Sequence, residues 1–213
     1  IAPHPDDETL GCGGTLLRHN FYNDEVNCVF VTNLKKNSKN FEKRKQEIKL
    51  IKKNYNFKNL IQGNFITSKL YSYDKTKIIN FFSKIVLKIK PDLLYVPFRE
   101  DAHSDHRIVY EGISPLFKSF RYPFIKEIRV YETLSETNFK NSINKNLFEP
   151  NLYINISKYF KNKVEIMKIY KSEIGLHPFP RSKKSLEALA ILRGSYSGHK
   201  YAEAFRVIKK IYD

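Results

Sequence analysis

Two short stretches of the sequence combine imidazoles and carboxylates, the side chains that bind divalent cations and move protons. The first is a His-Pro-Asp-Asp-Glu run at residues 4–8, directly after a short apolar run at residues 1–3. His4 and Asp7 are three positions apart, so one imidazole and one carboxylate can converge on a cation across a turn between a strand and a helix. Asp6 lies between them, where its carboxylate would face a water molecule at that cation.

The second stretch is an Asp-Ala-His-Ser-Asp-His run at residues 101–106, which follows the apolar run at residues 93–98. In open parallel sheets, ligands bind at the carboxyl ends of the strands. We therefore expect both clusters at one edge of one sheet. Two histidines and one aspartate around zinc leave positions open for water and substrate, which is typical of a catalytic site and not of a closed structural one.

Either cluster alone could be a helix cap or a pair of surface side chains as readily as a set of metal ligands. The two together are different, because crowded ionisable groups at one sheet edge would repel one another or lose hydration unless a cation compensated them. Five such groups are His4, Asp6, Asp7, His103 and His106. The sequence therefore predicts a site for Zn²⁺ or another divalent cation.

The elements that must position these clusters follow from the hydrophobic pattern. Short runs rich in β-branched and aromatic residues alternate with longer segments of helical period, which predicts parallel strands joined by helical crossovers. Asp74 is placed to cap the clearest helix. The predicted strands are residues 1–3, 26–32, 59–62, 93–98 and 128–132, the predicted helices are residues 8–20, 38–55, 73–90, 105–120, 157–174 and 184–192, and residues 137–150 are predicted to form a loop.

Length and charge limit the class of protein. A chain of 213 residues with 41% hydrophobic residues is sufficient for one domain, and we expect residues 1–213 to form one. The net charge of +16 would suit nucleic acid, but the lysines are spread through every predicted helix and not gathered on one face. We therefore expect no nucleic-acid partner, although the positive field would attract a phosphorylated or nucleotide-linked substrate.

The cysteines and the hydropathy indicate a cytoplasmic protein. Cys12 and Cys28 have no metal-type spacing, so neither a disulfide framework nor a zinc finger is predicted. No stretch approaches the roughly 20 apolar residues of a membrane span. Residues 1–3 have the pattern of the end of a strand whose beginning is missing, which leaves a targeting segment before them as an open alternative.

The sequence resembles the PIG-L/LmbE-like zinc-dependent N-acetylglucosamine deacetylases. The resemblance spans nearly the whole chain, and it implies a Rossmann-like three-layer α/β/α fold with a mostly parallel central sheet and an active site at the carboxyl ends of its strands. The matching residues are 2–8, Arg44, Glu47, 101–107, 131–133, 148–151 and 201–205.

Carried over position by position, the resemblance implies roles for residues of both clusters. They are the metal ligands His4, Asp7 and His106, the general base Asp6, the second acid or electrostatic helper His103, and Asp105 as the residue that orients a protonated His103. Either Asp6 or His103 would protonate the leaving amine, and the sequence leaves both open.

Contacts to the substrate are assigned to Arg44, Asp101 and Arg181. Arg44 can reach a sugar hydroxyl or a phosphate, although an arginine on a lysine-rich helix is equally well explained as solvated. Arg181 lies in a stiff, proline-rich run at residues 177–182, which forms either a rim of the pocket or an ordinary connection between helices.

The predicted function is removal of the N-acetyl group from an amino sugar, either free or linked to a nucleotide or a lipid, in bacterial glycan or surface-polysaccharide assembly. A homo-oligomer is compatible with the sequence. One alternative is the same zinc chemistry on another amide, such as an acylated antibiotic or a pseudodisaccharide. The other is a basic protein that binds nucleic acid or a membrane surface and keeps an inactive relic of the site, against which the intact set of imidazoles and carboxylates argues.

Overall fold

The computed structural model describes residues 1–139 and 147–212, in which helices and strands alternate along most of the chain. Two strand pairs near the beginning and middle are parallel, as the crossover pattern predicted. The strands are β1 (Asn27–Asn33), β2 (Asn59–Ile66), β3 (Leu93–Pro97), β4 (Glu127–Tyr131), β5 (Leu152–Asn155) and β6 (Ala202–Lys210), and the helices are α1 (Asp7–Phe21), α2 (Phe41–Asn54), α3 (Lys75–Ile89), α4 (Ser104–Ile113), α5 (Phe160–Met167) and α6 (Lys183–Ser195).

Residues 1–3 join the strands into one layer. The strands β1 and β2 pair with each other, while β3, β4, β6 and β5 follow one another in that order. The backbone N–H of Ala2 donates to the Val29 carbonyl at 2.8 Å, and the Ile1 nitrogen donates to the Tyr95 carbonyl at 2.9 Å. Residues 1–3 therefore lie between β1 and β3, and the chain leaves this central position directly into the first cluster.

Helices cover both faces of the sheet, which confirms the three-layer arrangement. Along β1, Phe30 packs with buried residues of α1, α2, α5 and α6, whereas its neighbour Val31 packs with those of α3 and α4. This division follows from the alternation of side chains along a strand. Within the described residues, no helix has both the length and the hydropathy that a membrane crossing requires.

The parallel half of the fold matches the sequence prediction closely, and the antiparallel half does not. The predicted Asp74 cap is confirmed, since its carboxylate accepts from the backbone N–H groups of Thr76 and Lys77. The strands β5 and β6 were missed; β6 pairs antiparallel with β4, and over its second half the exposed residues Arg206, Ile208 and Lys210 alternate with partly buried ones.

Two predicted helices are shorter in the structure. The helix predicted over residues 105–120 ends at Ile113, where Ser114–Phe117 continues as a 3-10 turn that contains a proline. The helix predicted over residues 157–174 covers only Phe160–Met167. Of the predicted loop at residues 137–150, Thr137–Phe139 forms a 3-10 turn, residues 147–150 have no regular structure, and the rest lies outside the described residues.

Helix α1 carries the first cluster and is packed unusually closely at its glycines. A Cβ atom at Gly14 would lie 2.7 Å from the Cβ atom of Ile156, and one at Gly13 would lie 2.7 Å from the hydroxyl of Tyr55. Neither position has room for a side chain. The glycines thus allow a close approach of the α1 backbone to its neighbours.

A buried ion pair fixes α1 against the C-terminal part of the chain. The ammonium group of Lys163 on α5 lies 2.7 Å from the Glu203 carboxylate on β6. That carboxylate also accepts from the backbone N–H groups of Gly14 and Thr15, and Lys163 donates to the Leu10 carbonyl. Because each charge is compensated and hydrogen-bonded, the pair can stay buried while it holds α1 in place.

Candidate active site

Both clusters lie at the carboxyl ends of neighbouring parallel segments. Residues 4–6 connect residues 1–3 to α1, and residues 98–103 connect β3 to α4. The imidazole rings of His4 and His103 are 4.5 Å apart between centroids, and those of His4 and His106 are 5.4 Å apart. The expected meeting of two distant stretches at one sheet edge is therefore confirmed.

His4, Asp7 and His106 are arranged as a cation site. One Asp7 oxygen, Oδ2, lies 3.3 Å from His4 Nδ1 and 3.2 Å from His106 Nε2, and one ligand atom from each residue lies within 4.8 Å of the others. The second Asp7 oxygen and His106 Nε2 are buried without a hydrogen-bond partner among the described residues. Buried polar atoms without partners are costly, and a divalent cation would satisfy both.

A second layer of carboxylates holds the two imidazoles. Asp101 Oδ2 lies 2.7 Å from His106 Nδ1, and Asp105 Oδ2 lies 3.0 Å from His4 Nε2. Histidines that bind metals usually donate their other ring nitrogen to such a partner, which fixes the tautomer and the ring orientation. Each imidazole therefore presents its remaining nitrogen toward Asp7.

This arrangement changes two assignments made from the sequence. Asp101 was assigned to the substrate, but it is buried, bonds His106, and accepts a hydrogen bond from the Thr137 hydroxyl at 2.6 Å. Asp105 was expected to orient His103 with its carboxylate, but that carboxylate bonds His4 and the backbone N–H of Ser68. The spacing of the sequence does not predict which side chains Asp101 and Asp105 bond, because Thr137 and Ser68 reach these carboxylates only in the folded chain.

The carboxylates shift the titration of both imidazoles in the metal-free protein. Burial lowers the pKa of His4, but hydrogen bonds to Asp105 and Asp7 outweigh it and raise that pKa to about 9. Burial likewise lowers the pKa of His106, but Asp7 and Asp101 outweigh it and raise that pKa to about 10. Burial raises the pKa of Asp7, but the two imidazolium groups outweigh burial and hold that pKa well below its usual range. In the metal-free protein both imidazoles therefore hold a proton more tightly than a free histidine does.

Asp6 has a strained backbone and faces the pocket. Its φ angle is 134°, a region that residues other than glycine rarely adopt, and its side chain makes no capping bond to α1. The carboxylate instead accepts from the Arg181 guanidinium at 2.6 Å. Burial and the neighbouring Asp7 carboxylate raise the pKa of Asp6 well above its usual range, and Arg181 opposes that rise.

His103 is held by the main chain and not by a carboxylate. The backbone N–H of Asp105 donates to His103 Nδ1 at 3.1 Å, so the neutral ring carries its proton on Nε2. Burial and the charge of His4 lower the pKa of His103 to about 4. The protonated form expected from the sequence is therefore corrected to a neutral imidazole that can donate from Nε2.

A cavity of about 190 Å³ opens beside these residues. Arg44 and Arg181, which were assigned from the sequence, lie on its wall. Glu173 lies between the two arginines, and the sequence analysis did not identify it. Glu173 follows α5 in a stretch without a recognisable motif, so only the fold brings it to the site. The lining consists of His4, Pro5, Asp6, Leu34, Arg44, Thr67, His103, Glu173 and Arg181.

Together, the fold and the site define an α/β protein with a group of side chains that could hold a metal ion, and a buried carboxylate beside it, at the carboxyl ends of its parallel strands. The family model PIG-L, described as GlcNAc-PI de-N-acetylase, matches residues 1–117. That match covers more than half of the chain and includes both clusters, so this chain belongs to the PIG-L family.

Solved structures share the fold over almost the whole chain. An N,N'-diacetylchitobiose deacetylase from Pyrococcus horikoshii is 21% identical, with a TM-score of 0.78 over 98% of this chain and 82% of its own. A conserved protein of Thermus thermophilus is 21% identical, with a TM-score of 0.77 over 100% and 94%. A teicoplanin deacetylase in a zinc-inhibited form is 15% identical, with a TM-score of 0.74 over 100% and 98%.

The bond between Asp101 and His106 predicts an effect on metal affinity. Replacing Asp101 by asparagine removes the charge that holds the His106 ring, and we expect zinc affinity to fall about 10- to 100-fold. Competition with a chromophoric chelator measures this change. The matched control is Asp24→Asn, which alters an exposed aspartate paired with His19; an equal loss in both variants would contradict the role of Asp101.

The raised pKa values predict proton release when the cation binds. Below about pH 9 both His4 and His106 hold protons in the metal-free protein, so a cation must displace them. Apparent zinc affinity should therefore rise with pH from 6 to 8, with up to about two protons released at pH 7. Calorimetry in buffers of different ionisation enthalpy counts these protons, and an affinity independent of pH would contradict the assignment.

Proposed function

We propose that this protein is a metal-dependent hydrolase that removes the N-acetyl group from an N-acetylated amino sugar. The observation that carries the proposal is the cation-type arrangement of His4, Asp7 and His106 beside a cavity lined by Asp6 and His103. Membership of a family described as a de-N-acetylase supports the reaction. The fold shared with a diacetylchitobiose deacetylase supports an amino-sugar substrate.

The three proposed ligands fit zinc or a similar divalent cation. Two imidazole nitrogens and one carboxylate are the donors of open catalytic zinc sites, and the carboxylates behind both rings are the usual supporting partners. When bound, the cation supplies a Lewis acid that polarises the acetamide carbonyl and lowers the pKa of water toward about 7.

Asp6 is the proposed general base. Its carboxylate lines the cavity next to the ligand Asp7, and the strained backbone turns it away from the helix and toward the substrate. It accepts a proton from the water molecule as the new C–O bond forms at the acetamide carbon. A carboxylate with a raised pKa is suited to this task, because it can also return the proton.

His103 is the proposed donor to the developing oxyanion. Its neutral ring offers the Nε2 proton, and it faces the same cavity from the opposite cluster. A fixed donor stabilises the charge that appears when the carbonyl becomes tetrahedral. Because His103 is neutral, the proton taken up by Asp6 is the one that goes to the leaving amine as the C–N bond breaks, which yields acetate and the free amino sugar.

The wider setting is proposed on the same grounds. Reaction in the cytoplasm agrees with two buried free cysteines, Cys12 and Cys28. We also propose a role in bacterial glycan or surface-polysaccharide assembly, in which the free amino sugar would be a building block. The fold shared with a teicoplanin deacetylase favours one second candidate, an acylated antibiotic sugar, and the relative rates of amine release from the two substrate types distinguish the candidates.

The general-base assignment predicts a separation of metal binding from turnover. Asp6→Asn keeps the size of the side chain and leaves His4, Asp7 and His106 intact, so bound zinc should remain near one equivalent. Removing the proton acceptor should lower the rate constant for deacetylation about 10²- to 10⁴-fold. Elemental analysis and an assay for amine release measure the two properties, and full turnover in this variant would remove Asp6 from the mechanism.

A further inference from the structure

The wall of the cavity is rich in charge, yet its two arginines already have partners within the protein. Arg44 donates to the Pro5 carbonyl at 3.0 Å and to the carboxylate of Glu173 at 2.5 Å, and its Nε lies 3.4 Å from Glu47. The hydroxyl of Ser172 accepts a further bond at 3.3 Å. Each of the three guanidinium nitrogens of Arg44 therefore has a partner within the protein.

Arg181 is engaged in the same way. Its Nη1 donates to Asp6 at 2.6 Å and to Glu173 at 3.2 Å, and its Nη2 donates to Glu136 at 3.1 Å. Its Nε donates to the hydroxyl of Ser135 at 2.8 Å. Arg181 thus holds the proposed base and the rim of the cavity, and the substrate contact expected from the sequence stays a prediction.

Glu173 is the residue that links the two arginines. One carboxylate oxygen bonds Arg44 and the other bonds Arg181, and the side chain is 27% exposed on the cavity wall. Together with Asp6, Glu47 and Glu136, it places four carboxylates around two guanidinium groups. The two arginines are therefore balanced by carboxylates and add no excess of positive charge to the cavity wall, although the whole chain has a net charge of +16.

A phosphate at this wall would meet an unfavourable environment. It could bind an arginine bidentately only if a carboxylate or the Ser172 hydroxyl gave up its place, and in either case Glu173 would remain beside a second anion. Sugar hydroxyl groups, in contrast, can accept from the guanidinium groups and donate to the carboxylates without displacing either.

We propose that the cavity selects an acetamido sugar that is uncharged next to the reacting group, and that Glu173 is a specificity-determining residue because it occupies Arg44 and Arg181. This inference rests on the proposed deacetylation and narrows its substrate class. It corrects the expectation, drawn from net charge alone, that the positive field leads a phosphorylated sugar into the site.

The test compares substrates that differ in charge at one position. The pairs are methyl N-acetylglucosaminide with N-acetylglucosamine 1-phosphate, and N-acetylglucosamine with its 6-phosphate, measured as kcat/KM with the zinc-loaded protein at about 0.15 M ionic strength, where distant charges are screened. We expect the uncharged member of each pair to be hydrolysed at least tenfold more efficiently. Equal or faster hydrolysis of the phosphorylated members would overturn the inference.

Two variants test the assigned residue. Glu173→Gln should raise kcat/KM for the phosphorylated member relative to the uncharged one at least fivefold, because an amide no longer neutralises the two arginines. Glu136→Gln should shift the ratio in the same direction, which keeps the test valid if the first variant does not fold. Glu165→Gln, an equal charge change on the exposed face of α5, is the control and should leave the ratio unchanged.

The outcomes distinguish a failure of this specificity proposal from a failure of the proposed deacetylase function. Release of acetate chiefly from phosphorylated sugars, or an unchanged ratio in both variants, would refute the inference and leave the deacetylase proposal standing. Release of acetate from none of the sugars by zinc-loaded protein would refute the proposed function, and the inference with it.

Discussion

The Asp7 carboxylate is the constraint on which the rest of the site depends. It is buried between imidazoles from chain positions about a hundred residues apart, and burial of a carboxylate is costly unless positive charge compensates it. In the metal-free protein two imidazolium groups supply that charge, and in the proposed active form a divalent cation does. The fold has to keep residues 1–7 and 101–106 together in both states.

The surrounding structure supplies that rigidity from three directions. Residues 1–3 are fixed between two strands, and α1 is packed through Gly13 and Gly14 against neighbours that leave no room for a side chain at either position. The buried pair of Lys163 and Glu203 ties the same helix to the C-terminal strand. The strain at Asp6 is maintained by this framework, because a residue at an unfavourable φ angle persists only where its surroundings determine it.

The parallel strands, the Asp74 cap and the meeting of the two clusters could be predicted because each depends on local pattern or on a general rule of sheet topology. The choice of His106 and not His103 as a proposed ligand came from the family resemblance. The partners of those ligands could not be predicted in this way. Asp105 bonds His4 and not its neighbour His103, and Glu173 reaches the cavity only because the chain folds back after α5.

The central claim is that two imidazoles and one carboxylate bind one divalent cation at the sheet edge. X-ray absorption at the zinc edge of the loaded protein tests it most directly, because imidazole rings give characteristic multiple scattering that oxygen ligands lack. The account predicts two imidazole nitrogens at about 2.0–2.1 Å, oxygen in the remaining positions and no sulfur. A sulfur ligand, or a shell of oxygen alone, would contradict it.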